Sequence, residues 1–280
     1  MTTAIAALDP RANAQFGKGL ARAFAGAVLF GLPLLMTMEM WSLAFTTHPD
    51  RVVLLLALFF PFLVGLSWHA GFEPTFSWRD DVVDALVAYA VGFVAAFLVL
   101  ALFGVLQRDM PLREIVANLC LQALPASIGA LLAQSLLGQR DTGQESRGGV
   151  NAYASELFIM AVGALFLAFN LAPTEEMVLI AIDISPWNAV LLMLLSVAIM
   201  HAFVYSVSFG GRQHDPRQAS GINLFVRFTA MGYLLALLLS AYLLWTFGRF
   251  DGLSLLNVLK ASMVLGFPAA IGAAAARLIL

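Results

Sequence analysis

Two copies of the pattern Thr-x-Glu-Met put a carboxylate into an apolar setting. The first copy, residues 37–40, carries Glu39, and the second copy, residues 174–177, carries Glu176. A charged side chain at the centre of a bilayer costs roughly 2.5–3.5 kcal/mol even on mild insertion scales, so each glutamate needs a compensating partner. Two facing carboxylates in a low dielectric cannot both stay charged unless a cation or a proton lies between them. The pair therefore predicts an ion-binding site or a proton relay.

Hydroxyl and carbonyl oxygens are predicted to complete this site. Thr37 and Thr174 offer hydroxyl oxygens, and oxygen ligands suit hard cations. Pro33 and Pro173 precede the two glutamates by a few residues, and a proline inside a helix frees the carbonyl four residues earlier. On a straight helix Thr37 and Glu39 point about 160° apart. Both can join one site only if the helix is unwound there, as in transporters with discontinuous helices.

Further acids near the second copy predict a mouth that concentrates cations. Glu175, beside Glu176, is a third candidate ion ligand. The connection over residues 170–188 adds Asp183 and contains no Lys or Arg, and Asp50 lies in the connection after the first apolar run. A surface of one charge sign raises the local concentration of counter-ions. We therefore assign Asp183 and Asp50 to an acidic vestibule.

Each charged residue also has a purely structural interpretation. Glu175 and Asp183 would then be solvated groups at the membrane surface, and the duplicated glutamates would form hydrogen-bonded or salt-bridged pairs with a packing role. Arg227 and Asp84 are candidate members of a gate near the opposite membrane face. Arg227 could equally extend to lipid headgroups.

The composition is that of a membrane protein. Of the 280 residues, 61% are hydrophobic and 11% are charged, whereas soluble domains carry about 25% charged residues. The net charge of −2 offers no basic surface for nucleic acid, and the single cysteine, Cys120, excludes an internal disulfide. No phosphate-binding loop, zinc-protease motif or nucleophile elbow occurs in the sequence. We expect neither an enzyme nor a cofactor.

Eight apolar runs are long enough to cross the bilayer, which takes about 20 residues each. The predicted spans are residues 21–45, 52–70, 82–106, 112–138, 153–181, 188–209, 222–247 and 254–279. Ten of the 15 Lys and Arg residues fall on the side of the N-terminus, which favours cytoplasmic N- and C-termini by the positive-inside rule. Both glutamates then lie in the outer part of the membrane.

The second half of the chain repeats the first. Residues 26–45 and 163–182 are identical at seven of twenty positions without gaps, and the alignment pairs Glu39 with Glu176. Residues 124–134, "LPASIGALLAQ", match residues 267–277, "FPAAIGAAAAR", at six of eleven positions. Because the repeat contains four spans, both halves enter the membrane from the same side. We predict an all-α membrane protein of two parallel four-helix repeats; a shared apolar composition is the alternative explanation.

These predictions divide the chain into four segments. They are a cytoplasmic N-terminal segment at 1–20, repeat 1 at 21–138 with the first four spans, a linker at 139–152, and repeat 2 at 153–280. The linker is polar and contains several glycines, which is typical of a flexible connection.

The segments "FNLAPTEEMVLIAIDIS", "MTMEMW" and "SWRDDVVDA" resemble a bacterial family of integral membrane proteins of unknown function. The resemblance covers most of the chain and implies a bacterial inner-membrane location, but it brings no substrate and no catalytic residues. From the residues themselves we expect movement of a small cation across the lipid bilayer, through a channel or an ion-coupled carrier. A homo-oligomer is left open. The alternative is a non-transporting scaffold, sensor or assembly factor in which the glutamates are structural.

Overall fold

The protein is all-helical over the residues that the computed structural model describes, which are 10–70, 77–137, 152–209, 222 and 225–279. The predicted linker lies outside them except for residue 152, as do residues 1–9 of the N-terminal segment. The α-helices are α1 Pro10–Leu35, α2 Met38–Thr46, α3 Pro49–Ala70, α4 Trp78–Leu102, α5 Leu112–Leu137, α6 Ala152–Leu171, α7 Glu176–Asp183, α8 Pro186–Phe209, α9 Met231–Thr246 and α10 Leu255–Ile279. A π-helical segment, Phe225–Ala230, leads directly into α9.

Within the described ranges, eight helices are long and apolar enough to cross a membrane, which confirms the predicted number of spans. The crossing segments are Phe16–Leu35, Pro49–His69, Trp78–Leu102, Leu112–Ala133, Tyr153–Leu171, Pro186–Phe203, Phe225–Thr246 and Leu255–Arg277. Two predicted spans, 21–45 and 153–181, are not continuous helices. Each contains a break, after which α2 and α7 follow as separate helices of 9 and 8 residues.

Both breaks fall at the duplicated Thr-x-Glu-Met motif. In the first copy, Thr37 has an extended backbone, with φ −101° and ψ 130°, and is the N-cap residue of α2. In the second copy, Thr174 closes a turn after α6, because its backbone N–H donates to the carbonyl of Leu171 at 3.0 Å. Pro173 lies in that turn, where its missing N–H and fixed ring oppose continuation of the helix. The unwinding that an ion site would require is therefore present in both copies.

The chain forms two compact units. The first unit comprises Met1–Met36 and Leu56–Thr142, and the second comprises Thr37–Leu55 and Gly143–Leu280. These boundaries differ from the predicted repeats for residues 37–55, which group with the second unit. One physical reason is an ion pair between Arg51 and Asp251, two residues of the second unit that are far apart in the sequence.

Each unit is built on one central helix of small residues. In the first unit α5 packs against α1 and α4, and in the second unit α10 packs against α6, α8 and α9. The α1–α5 crossing lies at Gly26 and Gly129, where a Cβ on either residue would overlap the carbonyl oxygen of the other. Gly163 and Gly272 make an equivalent crossing between α6 and α10. Since lipid tails are as apolar as the helices, such close backbone packing is a main source of stability in a membrane.

The matched sequence positions adopt matched local structures. The alignment pairs Gly26 with Gly163 and Gly129 with Gly272, the four residues of the two crossings. In addition, Gly104 after α4 and Gly248 after α9 have φ of 71° and 72°. Each follows a phenylalanine and ends its helix in a left-handed turn, as C-terminal glycines commonly do. These similarities support a duplication, and the parallel arrangement of the two repeats stays a prediction.

We expect Gly129→Ala and Gly163→Ala each to lower the thermal unfolding midpoint of the purified protein. The added methyl group must push two helix backbones apart, and overpacking of this kind typically costs about 1–3 kcal/mol. Gly17→Ala is the matched control, because a Cβ at this position in α1 has no neighbour within 4 Å. It should leave the midpoint unchanged or slightly higher, since Ala is the better helix former. Unchanged midpoints for both crossing variants would contradict the packing.

Candidate functional site

Both duplicated glutamates lie in the first turn of a short helix. Glu39 is the second residue of α2, and Glu176 is the first residue of α7. The unpaired N–H groups and the positive end of a helix stabilise a nearby carboxylate by about 0.3–1 kcal/mol. Glu39 is half-buried and Glu176 is exposed, and both follow the end of a crossing segment. The continuous helix of each predicted span ends at the break that precedes its glutamate, and the depth of the two glutamates in the membrane stays a prediction.

One guanidinium lies among the predicted ion-binding acids. Nη1 of Arg249 is 3.9 Å from Oε1 of Glu175, and Nη2 donates to the carbonyl oxygen of Pro173. Burial lowers the pKa of Arg249, and the negative charges of Glu175, Glu39 and Glu176 oppose that shift. Of these three acids, Glu175 is the one in contact with Arg249, whose side chain is only 16% exposed. Among the described residues, no group of three acidic, histidine or cysteine side chains is arranged to hold a metal ion.

The pairing of Arg249 is incomplete. Its 3.9 Å separation from Glu175 is longer than the 2.7–2.9 Å that is usual for a charge-assisted hydrogen bond. Nε of Arg249 is buried and has no hydrogen-bond partner among the described residues. The Glu175 side chain is 78% exposed, so it retains freedom to reorient. A guanidinium can bind a carboxylate through two parallel N–H donors. Arg249 makes no such pair with the described residues, so its charge attracts the carboxylates without holding them in one position.

A tight turn after α9 positions Arg249. The backbone N–H of Arg249 donates to the carbonyl of Leu244 at 2.8 Å, and that of Gly248 donates to Trp245 at 3.1 Å. The positive φ of Gly248 is a conformation that residues with a Cβ rarely adopt. A Cβ there would also lie 3.2 Å from Oδ2 of Asp251. The turn therefore depends on glycine immediately before Arg249.

A second interaction holds the same turn from α3. Arg51 donates to both carboxylate oxygens of Asp251, at 3.0 and 2.9 Å, in the bidentate geometry that Arg favours. Arg51 also donates to the carbonyl of Trp245 at 2.9 Å, and its guanidinium carbon lies 5.1 Å from the centre of that ring. These contacts fix the backbone of the turn on both sides of Arg249.

Lys260 compensates the other end of α7. It is 6% exposed, and its Nζ donates to the carbonyls of Ile182 and Ile184 at 3.2 and 3.0 Å. The last carbonyls of a helix lack partners within it and form its negative end. With Glu176 at its start and Lys260 at its end, α7 has a charge matched to each pole of its dipole.

The two threonines have different roles. Thr37 supplies the extended N-cap residue of α2, and its side chain makes no capping hydrogen bond to that helix. The hydroxyl of Thr174 donates to the carbonyl of Leu171 at 2.9 Å and so closes the turn between α6 and α7. Donation uses the proton of that hydroxyl and leaves its oxygen lone pairs available. Ion binding by either threonine stays a prediction.

The predicted acidic vestibule also has basic side chains. Asp50 is exposed and lies 3.3 Å from Nδ1 of His48. Asp183, also exposed, lines an open groove on α7 together with Glu176.

Within the second unit, residues 37–51, 172–188 and 247–260 form what we term the loop end. It carries six carboxylates (Glu39, Asp50, Glu175, Glu176, Asp183 and Asp251), three Lys or Arg side chains (Arg51, Arg249 and Lys260) and one histidine, His48. It therefore remains acidic.

The two predicted gate residues have partners in their own units. In the first unit, buried Asp84 accepts a hydrogen bond from the Ser67 hydroxyl at 2.6 Å. In the second unit, Arg227 lies in the π-helical segment with its guanidinium 4.9 Å from the centre of the Tyr153 ring. The Tyr153 hydroxyl donates to the Arg227 carbonyl at 2.8 Å. A pairing of Arg227 with Asp84 stays a prediction.

Arg249 is the central residue that the sequence analysis missed. In the sequence it counts only as one of the 15 Lys and Arg residues whose distribution orients the spans. One signal could have found it. The Phe-Gly pair that precedes Arg249 matches Phe103 and Gly104, and the residue that follows in the first half is Val105. The second repeat therefore has a charged residue where the first has an apolar one. Such a difference indicates a role for Arg249 that the duplication alone does not explain.

Comparison with known proteins identifies one family. A family model described as "Putative integral membrane protein (DUF2391)" matches residues 19–280. The match includes both Thr-x-Glu-Met copies and Arg249. Comparisons with curated proteins and with solved structures gave no match.

We expect Arg51→Gln and Asp251→Asn each to lower the thermal unfolding midpoint, because each leaves a charged partner without its bidentate contact. In a double-mutant cycle the two substitutions should be coupled by about 1 kcal/mol, the scale of a partly exposed ion pair. Asp109→Asn, an exposed carboxylate in the connection between α4 and α5, is the control and should leave the midpoint unchanged. Additive effects of the two substitutions would argue against the pair.

Proposed function

We propose that this chain, which belongs to this family of integral membrane proteins, moves a small cation across the bilayer, through a channel or an ion-coupled carrier. One observation carries the proposal, namely that each copy of the motif breaks a helix and places a glutamate in the first turn of the next, with Arg249 in contact with Glu175 and the Pro173 carbonyl at the second break. Glu39, Glu175, Glu176 and Arg249 together have a formal charge of −2, which attracts cations.

The broken helices support the same function. Discontinuous helices in transporters bring free backbone carbonyls next to carboxylates, and such oxygens coordinate cations. In this protein the Pro173 carbonyl already accepts a hydrogen bond from a cationic group, the Arg249 guanidinium. A small cation at the same carbonyl would meet the same favourable dipole. Thr37 and Thr174, which flank the breaks, would contribute hydroxyl oxygens.

The charge of the loop end supports entry of cations from that side. Its six carboxylates and three Lys or Arg side chains give a formal charge of −3, which raises the local cation concentration. With the N-terminus cytoplasmic, as the distribution of Lys and Arg favours, this end faces outward. In the proposal, Asp50 and Asp183 form its rim, and Arg227 and Asp84 belong to the opposite face. The equivalent glycine crossings support two four-helix repeats as the framework.

The alternative function is a membrane scaffold, sensor or assembly factor that transports nothing. The positions of Glu39 and Glu176 at helix N-termini favour it, because a helix dipole stabilises a carboxylate without any bound ion. The proximity of Arg249 favours it too, since a guanidinium balances part of the negative charge. Ion flux separates the two functions.

We expect the wild-type protein in proteoliposomes to conduct Na⁺ or K⁺ down an imposed gradient. Glu39→Gln and Glu176→Gln should each reduce the flux by about tenfold, because each removes one negative charge that attracts the cation. The flux is followed with an ion-sensitive dye inside the vesicles.

Asp109→Asn provides the control for this experiment, since it removes an exposed carboxylate that belongs to the first unit. Its flux should equal that of the wild type. Wild-type flux in both glutamate variants would reject the site, and absence of flux for every monovalent cation in the wild type would favour the non-transporting alternative.

A further inference from the structure

We propose that the second unit binds the headgroup of an anionic phospholipid at the end opposite the loop end, through the guanidinium groups of Arg227 and Arg277. This inference is independent of the proposed cation function, because it concerns other residues and another ligand.

Three crossing segments of the second unit end in one layer around these arginines. Tyr153 is the first residue of one segment, Arg227 is the third residue of another, and Arg277 is the last residue of a third. The ring centres of Tyr153 and Phe228 are 5.5 Å apart, and the Tyr153 hydroxyl donates to the Arg227 carbonyl at 2.8 Å. Tyr and Arg residues at the ends of spans are typical of the headgroup level of a bilayer. We term Tyr153, Glu156, Arg227, Phe228 and Arg277 the boundary layer.

Aromatic rings hold both guanidinium groups in this layer. Cζ of Arg227 lies 4.9 Å from the centre of the Tyr153 ring, and Cζ of Arg277 lies 4.4 Å from the centre of the Phe228 ring. A cation within about 6 Å of the face of an aromatic ring is attracted by the ring. Stacking also orients the planar guanidinium, whose N–H donors point outward in its own plane. The rings therefore position two groups that can bind the oxygen atoms of an anion.

The boundary layer lacks acceptors for these donors. Nη2 of Arg277 is 2.9 Å from Oε2 of Glu156, whereas Nη1 is buried and has no hydrogen-bond acceptor among the described residues. The Arg277 side chain is 10% exposed, and a buried charged donor without an acceptor is destabilising. Arg227 is exposed and forms no ion pair within the described part of the chain. Two arginines and one glutamate give the layer a formal charge of +1, which an anionic ligand would neutralise.

The apolar neighbours of Arg227 favour a lipid over a free phosphate ion. Phe225, Val226 and Met231 lie close to Arg227 in the chain and are exposed. An anionic phospholipid matches both features, because its phosphate oxygens suit a guanidinium and its acyl chains cover exposed apolar side chains. In the predicted orientation this end faces the cytoplasm, where anionic lipids make the membrane surface negative and basic pockets between helices bind headgroups.

The duplication separates this site from the scaffold that both repeats share. The segment that ends with Arg277 matches residues 124–134, which end with Gln134. The close helix crossing at Gly272 has its equivalent at Gly129 in the first unit. The crossing therefore forms without a cation at the position of Arg277. The charge of Arg277 indicates a role beyond the packing of the two helices.

The test measures lipid binding directly. The full-length protein in dodecyl maltoside is titrated with phosphatidylglycerol, and the rise of the thermal unfolding midpoint gives the half-saturating mole fraction of lipid in the micelles. Phosphatidylcholine, which has no net charge, should leave the midpoint near its starting value. Arg227→Gln should raise the half-saturating mole fraction of phosphatidylglycerol about fivefold, the effect of one basic residue at an anionic lipid surface.

Arg108→Gln is the matched control, because it removes an exposed arginine from the connection between α4 and α5 in the first unit. Its half-saturating mole fraction should equal that of the wild type. An equal rise in Arg108→Gln and Arg227→Gln, or equal stabilisation by phosphatidylcholine, overturns the proposal, since the attraction would then be general. Equal stabilisation by inorganic phosphate at the same ionic strength overturns the choice of a lipid as the ligand.

Glu156→Gln provides a test that leaves both arginines in place. It frees Arg277 from its ion pair and adds one unit of positive net charge, so the half-saturating mole fraction should fall about fivefold. Addition of Arg277→Gln to Glu156→Gln should abolish this gain. If Arg227→Gln does not fold, these variants decide the matter. An unchanged or higher value in Glu156→Gln, or a gain that persists without Arg277, overturns the proposal.

Discussion

The constraint on which the loop end depends is the charge balance around Arg249. A guanidinium that is largely withdrawn from solvent is costly unless negative groups lie nearby. In the second unit Glu175 lies 3.9 Å from Arg249, and the negative charges of Glu39 and Glu176 also act on that guanidinium. Arg249 therefore depends on the acids of the loop end, whereas Glu175 and Glu176 are exposed to solvent.

The two helix breaks set the surroundings of the glutamates. The breaks turn each glutamate into a first-turn residue of a new helix, where unpaired N–H groups face the carboxylate. The break in the second copy also frees the Pro173 carbonyl, which accepts a hydrogen bond from Arg249. The unwinding therefore places the glutamates at helix N-termini and provides a carbonyl acceptor for Arg249.

Much of the fold follows from the sequence, because the signals are local or repeated. Length and apolarity define eight spans, and the repeated Gly residues correspond to two close helix crossings. The break of the spans was harder to predict, since residues 38–45 and 176–182 are apolar enough to read as a continuation. The grouping of residues 37–55 with the second unit depends on Arg51 and Asp251, and no local pattern connects residues so far apart. The contacts of Arg249 with Pro173 and Glu175 could not be predicted for the same reason, because these residues are far apart in the sequence.

The asymmetry of the duplication bears on both candidate functions. The equivalent of Arg249 is Val105, so the first copy has no guanidinium at the corresponding turn. Glu39, although it belongs to the first repeat in sequence, lies in the second unit and acts on the arginine of that unit. One positive charge shared by several acids leaves an excess of negative charge at a membrane boundary. In the proposed function, a cation that binds there would offset that excess.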